Sequence, residues 1–362
     1  MAKTNKMVKF IDYKKDYLRF RKEYDQAWKA VNMRGDLILR SDVKKFEQRL
    51  AKFLGVKYAV ALNSGTDALE LALRALKIGQ GDEVITVSNT FKATITAIRK
   101  VGAIPVLVDI GEDYLMDVSK IKDALTDRTK AIIPVHLSGD TCDMPAINDF
   151  AIQNNLKVIE DSAQALGAKI GNFKAGHWGE IGCFSFYPAK LLGAKGDAGA
   201  LVTDSQEIAD WVRNYRNHCK DLSGEDGINS RMDNLQAALL NVKIKYIKEI
   251  LHKRKKIAWM YNAGLRLIDK IILPKEKRDK VWQDYVIRAE NRDRLYKFLK
   301  NKGIETMKSP ILPHIELNLS FKLPKTEEYN EQFLRLPCNE NLENKEIEEV
   351  IKQIKRFYAG IL

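Results

Sequence analysis

Seven short apolar runs mark the first part of the chain, at residues 58–62, 83–88, 104–110, 131–136, 157–161, 181–186 and 199–203. None alternates apolar with polar positions, so each predicts a strand buried on both faces. Between most of them lie stretches with helical apolar spacing, at 66–77, 91–102, 118–127 and 144–155. Strands alternating with helices predict an α/β fold with a mainly parallel seven-stranded sheet. The last two runs are joined by a Gly-rich loop instead of a helix, so one strand there is expected to run antiparallel.

Two helical segments precede the sheet, at 16–31 and 41–55, and Ser41 is the expected N-cap of the second. Beyond 204 the pattern becomes helical again and passes into a long basic helix, 243–259. A second α+β unit follows, with a strand at 282–289, a helix at 291–303, a Pro-rich stretch at 308–317 and a closing helix at 344–360. The division expected is a large domain, 1–250, and a smaller C-terminal one, 251–362.

Composition narrows the class. Hydrophobic residues make up 45% of the 362 positions, which is a globular proportion. No run reaches the roughly 18 apolar residues of a membrane span, and residues 1–15 lack the apolar segment of a secretory signal. A cytoplasmic protein is expected. Cys142, Cys183, Cys219 and Cys338 are scattered, as are the five histidines. They predict reduced, buried thiols and no metal site. The net charge of +13 asks for an anionic partner. Much of that excess sits in 243–259, where helical spacing predicts a solvated face and no nucleic-acid surface.

Three stretches can carry chemistry. Ser64-Gly65-Thr66 lies between a strand and a helix, either as an ordinary capped turn or as a phosphate cradle at a helix N-terminus. Glu160-Asp161 ends a strand, with Gln164 close behind. Such an acid is an N-cap, or it pairs with the ring nitrogen of a bound cofactor. Lys190 and Lys195 lie in FSFYPAKLLGAKGDAGA, residues 184–200. Lys190 has an apolar local context, which favours a readily deprotonated amine, whereas Lys195 sits in a turn where a solvated amine is expected.

Taken together, S-G-T-D-A-L (64–69), T-F-x-A-T (90–94), E-D-x-A-Q-x-x-G-A (160–168), S-F-x-P-x-K-x-x-G-x-x-G-D-x-G-A (185–200) and N-S-R-x-D-x-x-Q-A (229–237) resemble the DegT/DnrJ/EryC1/StrS sugar aminotransferases. The resemblance covers essentially the whole chain, in the family's order. It implies a fold-type I pyridoxal-phosphate enzyme acting as a homodimer with shared sites. By that resemblance Lys190 is the lysine that carries the cofactor, Asp161 partners the ring nitrogen and Gln164 lies near the ring hydroxyl. Phe91 stacks on the ring, and Ser64, Gly65, Thr66 and Ser185 hold the phosphate. Asn229 reaches the phosphate of the neighbouring subunit. The implied substrates are glutamate and a nucleotide-linked keto sugar. Another enzyme of the same fold, acting on a non-nucleotide or acidic keto sugar, is the alternative.

The departures concern the substrate side, where Tyr187, Lys308 and His314 are expected. Lys308 stands where the family usually has histidine, as loop variation or as an added cation for an anionic sugar. HLSG (136–139) replaces the commoner HLYG and is expected to open space near the sugar.

Overall fold

The computed structural model describes residues 7–220, 226–275 and 279–360. Helices α1 (Tyr13–Arg34) and α2 (Ser41–Leu54) lead into strand β1 (Tyr58–Leu62), helix α3 (Gly65–Ala75), β2 (Glu83–Val87), α4 (Ala93–Lys100) and β3 (Ile104–Val108). Then come β4 (Thr129–Ile132), α5 (Met144–Gln153), β5 (Lys157–Asp161), the small hairpin β6 (Lys169–Ile170) and β7 (Phe173–Lys174), β8 (Ile181–Ser185) and β9 (Gly199–Thr203). All seven apolar runs enter one sheet of order β1-β9-β8-β5-β4-β2-β3, and β9 alone is antiparallel to its neighbours. Residues 118–127 differ from expectation: they form two single 3₁₀ turns, Val118–Lys120 and Lys122–Ala124.

Alternation along the strands feeds two cores. Phe184, Ala200 and Val202 pack under α2 with Phe46 and Leu50, while Cys183 and Leu201 face the opposite layer with Leu69, Leu73 and Ile98. The Phe46 and Phe186 rings meet edge to face at 5.2 Å, each burial contributing roughly 1.5–3 kcal/mol. All four cysteines are buried and none forms a disulfide.

Ser41 is the first residue of α2, not its cap. Arg40 holds the cap position without a side-chain bond. The orphan amides of Asp42 and Val43 donate instead to Asn234 Oδ1, at 3.0 and 3.2 Å. A residue at the start of α7 (Asn234–Lys243) therefore caps α2 across the molecule, after α6 (Gln206–Tyr215) has covered the sheet.

Helix α8 (Ile247–Leu265) passes the chain from one core to the other. Ile247 packs with the β8–β9 layer, whereas Ile257, Tyr261 and Leu265 pack against a second sheet. That sheet has the order β10 (Ile271–Ile272), β11 (Tyr285–Ala289), β13 (Phe333–Leu336), β12 (Met307–Lys308). Helices α9 (Arg292–Asn301), α10 (Pro313–Glu316), α11 (Pro324–Gln332) and α12 (Asn344–Tyr358) complete it. The N-terminal segment returns here: Val8 bridges Ile304 and joins the same core.

The basic run is not wholly solvated. Lys245, Lys248, Lys255 and Lys256 are exposed, but Lys243 and Arg254 are buried. Lys243 pairs with Asp16 at 2.9 Å and Glu340 at 3.6 Å, and Arg254 pairs with Glu340 at 2.7 Å. These two cations act as an internal lattice between the bodies, because a charge this deep must be compensated.

Candidate active site

The carboxyl ends of β1, β2, β4, β5 and β8 all open on one cavity of about 680 Å³, closed on its far side by the smaller sheet. This is where ligands bind in open α/β sheets. Ser64, Gly65, Thr66, Phe91, Asp161, Gln164, Ser185, Tyr187 and Lys190 all line it. Three other expected residues lie elsewhere. Lys308 is bound by Asp293 at 3.3 Å over the Tyr296 ring, outside the lining. His314 is buried, with Nδ1 2.7 Å from Ser88 Oγ, and so ties α10 to the end of β2. Asn229 is exposed, in a bridge with Asn217.

The turn after β1 is built for an anion. Ser64 caps α3 by accepting from Asp67 N at 3.1 Å. The amides of Gly65 and Thr66 find no acceptor among the described residues. They carry the positive end of the helix dipole. A Cβ on Gly65 would lie 2.8 Å from Ser185 Cβ, so glycine is what lets Ser185 approach the turn.

The two acids at the end of β5 have separate tasks. Glu160 accepts from His136 Nε2 (2.8 Å) and from the amides of Gly176, Trp178 and Gly179 at 2.8, 2.6 and 2.9 Å. Its lone pairs are occupied, and it serves as a structural anchor. Asp161 is buried at the cavity, and among the described residues its side chain accepts only from Thr94 Oγ1 (2.8 Å) and Ala163 N (3.2 Å). Burial pushes its carboxyl above the usual range, against the pull of Thr94, Ala163, Lys190 and His136. A cation in the cavity would reverse that cost.

Lys190 is partly exposed to the cavity. Desolvation lowers its amine below the ordinary lysine value, opposed by Asp284 and Asp161 and reinforced by Arg335. Gln164 Oε1 accepts from Ser138 N at 2.8 Å, which leaves the amide nitrogen as the donor for a ligand. The HLSG turn thus positions Gln164, and Gly139 within it packs against the backbone of Trp282 and Gln283.

Lys195 is not the free surface amine expected of it. Its ammonium pairs with Asp16 at 2.5 Å and lies 4.9 Å from the centre of the Tyr24 ring, tying the Gly-rich turn to α1. The cavity also holds residues that no motif marked: Phe10, Tyr13, Gln283, Asp284 and Arg335, with Arg335 3.4 Å from Asp284. The first two come from the N-terminal segment, Gln283 and Asp284 from the segment that leads into β11, and Arg335 from β13, so only the tertiary fold reveals them.

An anion cradle, a buried acid and a depressed lysine amine around one cavity match the phosphate, ring nitrogen and aldehyde of pyridoxal phosphate. Comparison with known proteins gives the same cofactor. The model of the DegT/DnrJ/EryC1/StrS aminotransferase family matches residues 19–355. The dTDP-3-amino-3,6-dideoxy-alpha-D-galactopyranose transaminase of Aneurinibacillus thermoaerophilus is 40% identical, over 97% of this chain and 99% of its own. The S. venezuelae protein DesV, solved in complex with a ketimine intermediate, superposes with a TM-score of 0.94 at 36% identity, covering 97% of this chain and 98% of its own. NtdA from Bacillus subtilis, solved with bound cofactor PMP, gives a TM-score of 0.88 at 31% identity, covering 97% and 83%.

Proposed function

The chain belongs to the DegT/DnrJ/EryC1/StrS aminotransferase family, and we propose that it transfers an amino group from glutamate to a ketone of a nucleotide-linked deoxysugar, in the cytoplasm, for a surface polysaccharide such as an O-antigen. It is a pyridoxal-phosphate transaminase of the α/β fold described above. The observation that carries the substrate reading is the convergence of Ser64–Thr66, Asp161 and Lys190 on a cavity of about 680 Å³, in a chain whose relatives are named for dTDP-linked sugars.

When bound, the cofactor supplies an electron sink conjugated to the substrate nitrogen. The protein's part follows from its residues. Gly65, Thr66 and Ser185 would hold the phosphate, and Phe91 would cover the ring. Asp161 Oδ2, steadied by Thr94, would keep a proton on the ring nitrogen. Gln164 would donate to the ring hydroxyl. Lys190 Nζ, deprotonated more readily than an ordinary lysine, would take the proton from the reacting carbon and return it to the carbon on the other side of the substrate nitrogen, two bonds away. Tyr187, exposed and lining the cavity, would meet the sugar. The positive excess of the whole chain draws in a sugar that carries a diphosphate.

We further read the working unit as a homodimer, in which Asn229 of each chain reaches the other's phosphate turn. The exposed Trp28, Met33, Leu37 and Ile38 offer an apolar face for such pairing. The test is a panel of dTDP- and UDP-linked 3-keto and 4-keto sugars with glutamate. Production of an amino sugar from a nucleotide-linked member supports the reading; turnover of free keto sugars alone overturns it.

A further inference from the structure

Lys190 is gripped from outside its own loop. Inside the loop, Lys190 N donates to Tyr187 O and Ala194 N to Phe186 O, both at 2.8 Å. A second pair of bonds comes from Gln283, in the segment that leads into β11. Gln283 Nε2 donates to Ala189 O at 3.0 Å, and Gln283 Oε1 accepts from Leu191 N at 2.9 Å. One side-chain amide therefore joins the residues on both sides of the lysine. Gln283 is 7% exposed, so water scarcely competes for these bonds.

Gln283 is in turn held from two sides, by Arg254 and by the turn at Gly139. Arg254 Nη1 donates to Gln283 O at 2.9 Å, and Arg254 is itself locked to Glu340. Val281 N donates to Gly139 O at 2.9 Å. Gly139 has φ +87°, and a Cβ there would lie 2.8 Å from both Trp282 N and Gln283 N, so only glycine permits this approach. Trp282, just before Gln283, has left-handed backbone at φ +46°. Backbone of this kind persists only where its surroundings over-determine it.

The reach of a lysine amine is set by its Cα, since four flexible methylenes lie between. An amine that must serve a cofactor and then a substrate carbon needs that Cα fixed to within about 1 Å. We propose that Gln283 is a positioning residue for the amino-transfer reaction: by clamping Ala189 and Leu191 it fixes Lys190 to the smaller sheet, so that the two bodies present the amine to the cavity as one unit. This rests on Lys190 being the lysine that carries the cofactor.

Two variants test it. Gln283→Met keeps the length of the side chain and loses both bonds. Gln283→Glu keeps an acceptor for the Leu191 amide and loses the donor to Ala189. In the cofactor-free protein, hydrogen exchange at Leu191 rises about five- to tenfold in Gln283→Met, the worth of one hydrogen bond, and stays near wild type in Gln283→Glu. In the loaded enzyme, kcat of Gln283→Met falls about 10- to 100-fold while KM for the sugar moves less than about twofold. Unchanged exchange at Leu191, or an unchanged kcat in a folded Gln283→Met protein, overturns the proposal. If Gln283→Met does not fold, kcat of Gln283→Glu decides alone: a loss beyond about threefold supports the clamp and a smaller one overturns it. Lys190→Ala separates the two layers. Retained turnover there defeats the reading of the lysine, whereas Leu191 protection reports the clamp in either case.

Discussion

Thr94 Oγ1 donates a 2.8 Å hydrogen bond to Asp161 Oδ2, from the start of α4 to the end of β5. It is one of two bonds that steady a carboxyl which burial drives towards its neutral form. A group whose folded pKa is raised stabilises the folded state at low pH, and that contribution is lost as pH climbs from the ordinary carboxyl range through the raised value. The cofactor-free wild type is therefore expected to lose thermal stability over that interval relative to Asp161→Asn. With pyridoxal phosphate bound, the difference shrinks or inverts, because a ring cation now faces the carboxylate. Scanning calorimetry of both proteins across pH, with and without cofactor, checks this.

Lys190→Ala is expected to abolish turnover. Lys195→Ala removes an ammonium that serves Asp16 and Tyr24 instead of the cavity. It should keep most of the activity and lose about 1 kcal/mol of stability, since Lys243 still compensates Asp16. Parallel kinetics and urea unfolding separate the two lysines; equal losses of activity would refute the assignment.

Lys308 lies outside the cavity lining and already has Asp293 as a counter-ion. Replacing it with alanine should change KM for the sugar by less than about twofold. A tenfold rise in KM, with kcat preserved, would return Lys308 to the role its position in the sequence suggests.

Burial pushes the Glu340 carboxyl up, but Arg254 and Lys243 outweigh it and hold it at about 2. A depressed carboxylate stabilises the protein above its unfolded pKa, and that stability drains away as pH falls through the folded value. Glu340→Gln should cost about 3 kcal/mol near neutrality, through two buried cations left short of charge. Its deficit should narrow between roughly pH 4.5 and 2. Acid-titrated unfolding of the two proteins measures it.

The sheet was legible in the sequence because its strands are buried on both faces over most of their length and so read as continuous apolar runs. The cradle at Ser64–Thr66 and the acid at 161 were legible because strand ends and helix starts are local signals. The cap of α2 was not, since Asn234 supplies it from 192 residues away. Distance hid Gln283 and Asp284 too: nothing in VWQDYVIRA sets them beside Lys190 until the second sheet folds back. The buried Lys243 and Arg254 misled for a related reason, because a charge run looks solvated wherever its partners are remote.

The Val8–Ile304 bridge has a consequence for synthesis. Residues 58–203 contain every strand of the large sheet, and a growing chain can assemble that sheet as soon as it emerges. Val8 must wait for Ile304, nearly three hundred codons later, before it joins its core. Phe10 and Tyr13, which wall the cavity, are carried on the same waiting segment. A nascent chain on the ribosome therefore holds a finished sheet and an open pocket, and the segment around Val8 is among the last to dock.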